Sequence, residues 1–482
     1  MVRVLFTTSE IYPVIKVGGL ADVSNSLTRA LCSKRLRVHV LLPGYRSVMR
    51  WMQSTNATCV VRTDMDGQPV TLWETVVPGS PVVLWVIDNP GLFDRSGGPY
   101  QDEHGHDWHD NDRRFAFYAR VAAAIAMDRL GLGWRPDVVH CNDWPSGLIP
   151  ALLSLEKNRP ATVFTIHNLA HRGLFPAETV EKLNLPGELW CMAGLEFYGQ
   201  LAFIKGGLAY ADQLTTVSPT YAREIQTTGE GHGMDGLLRY RRQRLSGILN
   251  GIDTREWDPK TDPYLSGHYD RLTLEQKKAC KQSLQDALGL APDPGRPLLG
   301  FIGRLVHQKG VDLIMENLPR LMESGCNVVI LGSGDRATEH RLTSLASHYP
   351  GRLAIRIGFD EALAHQITAG VDMFMMPSRF EPCGLNQMYS LHYGSVPIVR
   401  KVGGLRDTVF DPANVSEDRA NGFSFTESTP ESFWSALARC LAAFHDKKQW
   451  QQLQANGMIQ DFSWDTSARK YLRVYARARN PA

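Results

Sequence analysis

Short apolar runs alternate with helical segments along this chain, and the alternation starts afresh half-way. VRVLF (2–6), RVHVLLP (37–43), VVLWVI (82–87), DVVHC (137–141), ATVFTIH (161–167) and QLTTVS (213–218) form the first series. They are too short for helices and apolar without alternation, so they read as parallel strands covered on both faces. PLLGFIGR (297–304), NVVILGSGD (327–335), LAIRIGF (353–359), DMFMMPS (372–378) and VPIVR (396–400) form the second, with helical stretches such as GVDLIMENLPRLMES between them. At 482 residues the chain exceeds what one hydrophobic core supports. The expected fold class is α/β, with two Rossmann-like doubly wound domains facing a central cleft. The first is placed at 1–245 and completed by a C-terminal helix at 461–482; the second is placed at 246–460.

Composition narrows the function. With 52 basic and 50 acidic residues the net charge is +2, so no overall field favours nucleic acid or an anionic membrane, and an anionic ligand has to be held locally. Eight cysteines without a C-x-x-C pair read as reduced thiols and point to the cytoplasm. No stretch is long and apolar enough for a membrane helix, and the first residues read as a buried strand rather than a signal peptide.

A glycine-rich turn between a strand and a helix brings backbone N–H groups to a phosphate. KVGGLADV (16–23) fits that pattern, with Lys16, Gly18, Gly19 and Asp22 in one turn, and KVGGLRDTV (401–409) repeats it with Gly403 and Gly404. No Walker sequence is present, and GSGD (332–335) lacks the third glycine of a dinucleotide fingerprint. Arg304 and Lys309 in FIGRLVHQKG follow a strand and suit a diphosphate. Glu381 in PSRFEPCGLNQMYSLHYG sits at a strand end before a turn formed by Cys383, Gly384 and Leu385. HCNDWPSG contributes His140 and Asp143, and TIHNLAHRG contributes His167 and Asn168, again at strand ends. His104, His106 and His109 alternate with carboxylates within an irregular tract at roughly 88–113, but their spacing matches no closed zinc pattern. No metal and no prosthetic group is expected.

Together these motifs resemble the bacterial glycogen synthase and plant starch synthase family, glucosyltransferases of the two-Rossmann-domain type called GT-B. SEIYPVIKVGGLADV, HCNDW, TIHN, NGID, GRLVHQKG, PSRFEPCGLNQMYSLHYG and KVGGLRDTV occur in the family's order over nearly the whole chain. The resemblance implies retaining transfer of glucose from ADP-glucose to the non-reducing end of an α-1,4-glucan, glycogen or starch, releasing ADP. It casts Lys16 as the lysine for the sugar nucleotide, with Asp22 in the same loop, and Arg304 and Lys309 as the grip on the diphosphate. Glu381 would stand beside the donor glucose, with Cys383, Gly384 and Leu385 as phosphate and sugar contacts. His167 and Asp143 would be active-site groups of the other wall. Asn250 is the polar residue of NGID, and Phe359 stands where a tyrosine often stacks on adenine. Tyr389 occupies the place of a second glutamate found in many GT-B transferases.

A diphosphate leaving group gathers negative charge as the sugar becomes oxocarbenium-like, so preorganised cations are the main catalytic tool expected. No second carboxylate pairs with Glu381 as in a retaining glycosidase. The expected route is therefore front-face substitution, in which the departing phosphate accepts the acceptor's proton.

Overall fold

The computed structural model describes residues 1–480 and divides into two compact units: Met1–Gly251 with the C-terminal stretch from Trp464, and Ile252–Ser463. The first unit is built on a nine-stranded sheet. In chain order its strands are β1 (Arg3–Thr7), β2 (Arg37–Pro43), β3 (Thr58–Met65), β4 (Gln68–Val76), β5 (Val83–Asp88), β6 (Val138–Asn142) and β7 (Ala161–Ile166). A small separate sheet follows as β8 (Leu174–Pro176), β9 (Glu196–Phe197) and β10 (Gln200–Ala202), and then β11 (Gln213–Thr216) and β12 (Leu245–Gly247) return to the main one. The large sheet runs β12-β11-β7-β6-β1-β2-β5-β4-β3. All its pairings are parallel except those of the β3–β4 hairpin.

That hairpin is not among the strands legible as apolar runs. Its β3 strand is largely exposed, and it turns through Asp66 and Gly67, both at positive φ (53° and 74°). Asp-Gly suits such a turn because both central residues of a type I′ hairpin need left-handed backbone.

The second unit is a six-stranded sheet in the order β15-β14-β13-β16-β17-β18. Its strands are β13 (Leu298–Ile302), β14 (Asn327–Gly332), β15 (Leu353–Ile357), β16 (Met373–Met376), β17 (Val396–Arg400) and β18 (Phe423–Phe425), all parallel. Helices such as Val311–Glu323 and Pro430–His445 close over it on a core that includes Leu299, Ile314, Val328, Met375, Ile398 and Phe433.

The boundary falls later than 245/246 because β12 pairs in parallel with β11 and so belongs to the first sheet. The C-terminal helix spans Trp464–Arg479, and the last two positions of the stretch expected at 461–482 lie outside the described residues. Side-chain bonds that fasten the helix to the rest of the first unit include Tyr475 to His140, Ser467 to the Leu249 carbonyl, Arg477 to Ser246, and Lys34 to Asp465.

Among the parallel strands of each sheet the order reverses in the middle, between β6 and β1 in the first and between β13 and β16 in the second. Loops leaving the carboxyl ends of strands diverge at such a point and open a crevice. Lys16 and Asp143 follow β1 and β6, and Arg304, Lys309 and Glu381 follow β13 and β16.

Candidate active site

In the first unit the chain leaves β1 at Thr7 and reaches the helix Gly19–Ser33 through the segment 8–18. Glu10 organises that segment from inside. It is only 3% exposed, and its Oε2 accepts the backbone N–H groups of Val17 (2.6 Å) and Gly18 (2.9 Å). Its Oε1 accepts the Tyr100 hydroxyl at 2.6 Å, and Ser9 in turn donates to Tyr100 at 2.7 Å. Burial pushes the Glu10 carboxyl above its usual range, against the pull of Tyr100, the two amides and Lys16.

The sequence reading aims the Gly18 amide at a phosphate; in the structure that amide is committed to Glu10. The loop instead displays Lys16, whose ammonium lies 3.0 Å from Asp22 and 5.2 Å above the Tyr12 ring. Gly18 is extended (φ −151°), and a Cβ added there would meet nothing within 4 Å. Its smallness leaves room above the backbone.

The β6 and β7 loops bring Asp143, His167 and Asn168 together. Asp143 adopts φ 54°, which turns its carboxylate back so that Oδ1 accepts the N–H of His167 (2.7 Å) and of Asn168 (3.3 Å). Burial raises the Asp143 carboxyl to about 7 in spite of these two bonds, and the charge of Glu10 raises it further. The tautomer of His167 follows from Asn142. The Asn142 amide nitrogen donates to the Thr7 carbonyl, so its Oδ1 faces His167 Nε2 at 2.9 Å and must accept. The proton therefore sits on Nε2, leaving Nδ1 as an acceptor. Burial lowers the imidazole to about 3, so the ring is neutral near pH 7.

His140 is not part of this group. It is fully buried, bonded to Tyr475 at 2.8 Å and to Thr165 at 2.6 Å, and it holds the C-terminal helix against the sheet. Asn250 lies beyond β12 with its Oδ1 buried and without a hydrogen-bond partner. His104 and His106 are exposed; Asp102 binds their backbone amides and so shapes the loop. The irregular tract reaches this site through Tyr100, which bonds Glu10 and Ser9.

In the second unit the loops after β13 and β16 are laced together. Lys309 Nζ lies 2.5 Å from Glu381 Oε2, which also accepts from Ser378 Oγ at 3.1 Å. Arg304 is exposed and donates to Gln308 at 3.1 Å, and Gln308 bonds the Phe380 carbonyl. Arg379 forms a fork to both oxygens of Asp312 (2.8 and 2.6 Å). Gly310 turns the first of these loops at φ 68°, where a Cβ would stand 2.2 Å from the Pro377 carbonyl oxygen. Cys383 is buried beneath the turn, Gly384 takes φ 73°, and Leu385 precedes the helix Asn386–His392. Phe359, between β15 and the next helix, is 78% exposed.

The second glycine pair does different work from the first. Gly404 donates its N–H to the carbonyls of Glu381 (3.3 Å) and Pro382 (3.2 Å). Cβ atoms at Gly403 and Gly404 would lie 1.8 Å from the Glu381 oxygen and 2.1 Å from the Cys383 oxygen. Reading these glycines as phosphate contacts needs correcting for Gly404: its amide is turned inward, and the pair lets the backbone close behind the Glu381 loop. Tyr389 is buried and stacks on Trp257 at 3.9 Å.

Sequence reasoning did not pick out Glu10, Tyr100, Asn142 or Ser378. Glu10 lies within SEIYP at the end of the first strand, and that strand-end position was the available signal. Tyr100 and Asn142 act through geometry that only the folded sheet creates.

Two doubly wound units, each gathering charged and polar groups where its strand order reverses, define a glycosyltransferase of the GT-B class. Residues 3–240 match the starch synthase catalytic domain, and residues 296–443 match the glycosyl transferases group 1. Glycogen synthases of Marinobacter nauticus and Cellvibrio japonicus are each 52% identical, covering 98% and 99% of this chain and 97% and 99% of their own. The catalytic domain of starch synthase IV from Arabidopsis thaliana, solved with ADP and acarbose, superposes with a TM-score of 0.88 at 33% identity over 99% of each chain. A sucrose-phosphate synthase of Thermosynechococcus elongatus, 16% identical with a TM-score of 0.61 and 99% of each chain covered, shares the fold. The chain belongs to the glycogen synthase and starch synthase family.

Proposed function

We propose that this enzyme transfers glucose from ADP-glucose to the non-reducing end of an α-1,4-glucan, with retention at the anomeric carbon and release of ADP. The observation that carries this reading is the Lys309–Glu381 pair beside Arg304 at the β13/β16 reversal. Arg304 and Lys309 meet the diphosphate and stabilise the charge that grows on the leaving oxygen. Glu381 has one oxygen occupied by Lys309 and Ser378. That suits a carboxylate orienting sugar hydroxyls better than a free nucleophile, and the departing phosphate takes the proton of the attacking hydroxyl. The turn at Cys383, Gly384 and Leu385 contacts the donor, and Phe359 supplies an exposed ring for the base.

In the first unit neutral His167 offers Nδ1 to a sugar hydroxyl, while Lys16 contributes positive charge. Asp143 and Asn168 shape the same wall, and Asn250 offers an unpartnered carbonyl oxygen. No prosthetic group enters this chemistry. No helix among the described residues is long and apolar enough to cross a membrane. Cys141, Cys280, Cys326 and Cys440 are buried thiols outside any disulfide, which fits a reducing compartment, and we place the enzyme in the cytoplasm.

Incubation with glycogen and radiolabelled ADP-glucose or UDP-glucose tests the reading. Label is expected in polymer, preferentially from ADP-glucose, in α-configured linkages. Release of the label as free glucose, or no incorporation from either donor, overturns it.

A further inference from the structure

Around a helix that starts two residues beyond Phe359 in the chain, the second unit holds a group of ionisable side chains that glucosyl transfer does not call on. His365 lies on the helix Glu361–Gly370 and is fully buried. Its Nδ1 is 2.7 Å from Asp262 Oδ2, a carboxylate with no exposed side-chain surface that also accepts from the Tyr393 hydroxyl at 2.6 Å. Trp257 stacks flat on the imidazole, with centroids 3.6 Å apart and planes 17° from parallel. The ring is therefore fixed in direction by a carboxylate at one edge and an indole on its face.

What the ring points at is Nε2, which is buried without a hydrogen-bond partner. The nearest carboxylate oxygen, Glu361 Oε1, is 3.8 Å away, beyond hydrogen-bond reach. Glu256, from the loop that carries Trp257, completes the group. One ligand atom each from Glu256, Glu361 and His365 can be taken so that all lie within 4.8 Å of one another. Glu361 and His365 are four residues apart, so they share one helix face. Asp262 stands behind the imidazole as carboxylates stand behind metal-bound histidines, fixing the tautomer and raising ligand basicity.

We propose that Glu256, Glu361 and His365 form a binding site for a divalent transition-metal ion. One imidazole nitrogen with two carboxylates suits zinc best among common cations, with water completing a tetrahedral shell at about 2.0–2.2 Å from the protein ligands. The ion draws the three groups inward by small side-chain movements and ties the 253–258 loop to the helix Glu361–Gly370. Its place is structural, since none of the three ligands belongs to the residues assigned to transfer. The competing occupant of Nε2 is a proton: burial opposes it, but Asp262 and Glu361 favour the charged ring.

Titration of the chelator-treated full-length protein with cobalt(II), followed by its visible absorption and then by zinc displacement, separates the two occupants. One saturable equivalent with a tetrahedral cobalt spectrum is expected, lost in Glu361→Gln and in Glu256→Gln. Asp262→Asn is expected to weaken it about 10–100-fold. Circular dichroism confirms that each variant is folded. Absence of a saturable equivalent in the wild-type protein overturns the proposal. So does uptake that persists unchanged in folded Glu361→Gln and Glu256→Gln, which would put the ion elsewhere.

Discussion

Lys309 Nζ and Glu381 Oε2 lie 2.5 Å apart although 72 residues separate them in the chain. The β13 and β16 neighbours in the sheet make that possible, since both residues leave from carboxyl ends of paired strands. The pair ties the cation proposed for the donor diphosphate to a carboxylate only 7% exposed.

Replacing Lys309 by Ala removes the proposed transition-state cation and leaves Glu381 without its ammonium. We expect kcat to fall by about 10²–10³. Stability should drop by about 3 kcal/mol, the lower end for a broken buried pair, because Ser378 remains as a donor. Steady-state kinetics with urea unfolding measures both. A double-mutant cycle with Glu381→Gln should show strong coupling in both measurements. A Lys309→Ala enzyme that turned over at the wild-type rate would remove Lys309 from the mechanism.

Glu10→Gln tests the interior anchor of the first loop. An amide presents only one acceptor oxygen where the carboxylate receives both backbone N–H groups and the Tyr100 hydroxyl. At least one buried donor is left unsatisfied, at about 1–3 kcal/mol. Hydrogen exchange should accelerate at Val17 and Gly18 while the β2 and β5 amides stay protected, and KM for the donor should rise as Lys16 loses its fixed position. Tyr100→Phe, which removes one donor and no acceptor, should have the milder effect.

The residues of this site differ in how far they could be read from the sequence, and the reason is physical. Strands covered on both faces announce themselves as apolar runs, so the core strands and the loops at their carboxyl ends were legible, and Asp143, His167, Arg304, Lys309 and Glu381 were found on such loops. The β3–β4 hairpin was not, because an exposed edge has no apolar signature. Nor could identical words reveal different backbone surroundings: KVGG at 16–19 is held by Glu10, whereas KVGG at 401–404 is packed against residues 381–383. His140 and His167 look equivalent at strand ends, yet the C-terminal helix, distant in sequence, captures only the first.

The pH dependence of stability isolates Asp143. Its folded carboxyl titrates at about 7, above the unfolded value of about 3.9. Between these values the folded state holds the proton that the unfolded state has released, so this group's contribution falls as pH rises through that window. His167 acts in the opposite sense: with a folded value of about 3 against about 6.5 unfolded, its contribution is present above pH 6.5 and lost on acidification. The difference in unfolding free energy between Asp143→Asn and wild type cancels the histidine term. It should grow in favour of the variant from pH 5 to pH 8. A difference that stays flat over that range would mean Asp143 is ionised in the fold throughout.

The two glycine pairs predict opposite outcomes for the same substitution. At Gly18 a methyl group meets nothing within 4 Å and the backbone is already extended. Gly18→Ala should therefore keep its unfolding free energy within about 0.5 kcal/mol of wild type. Any rise in donor KM then reports intrusion into space the ligand uses. At Gly404 the same methyl lies 2.1 Å from the Cys383 oxygen, so the loop carrying Glu381 must retreat, and Gly404→Ala should lose at least about 1–3 kcal/mol together with most of kcat. Thermal unfolding and initial rates on the two variants decide the matter. A destabilised Gly18→Ala beside an unperturbed Gly404→Ala would reverse the assignment of the first pair to ligand space and the second to packing.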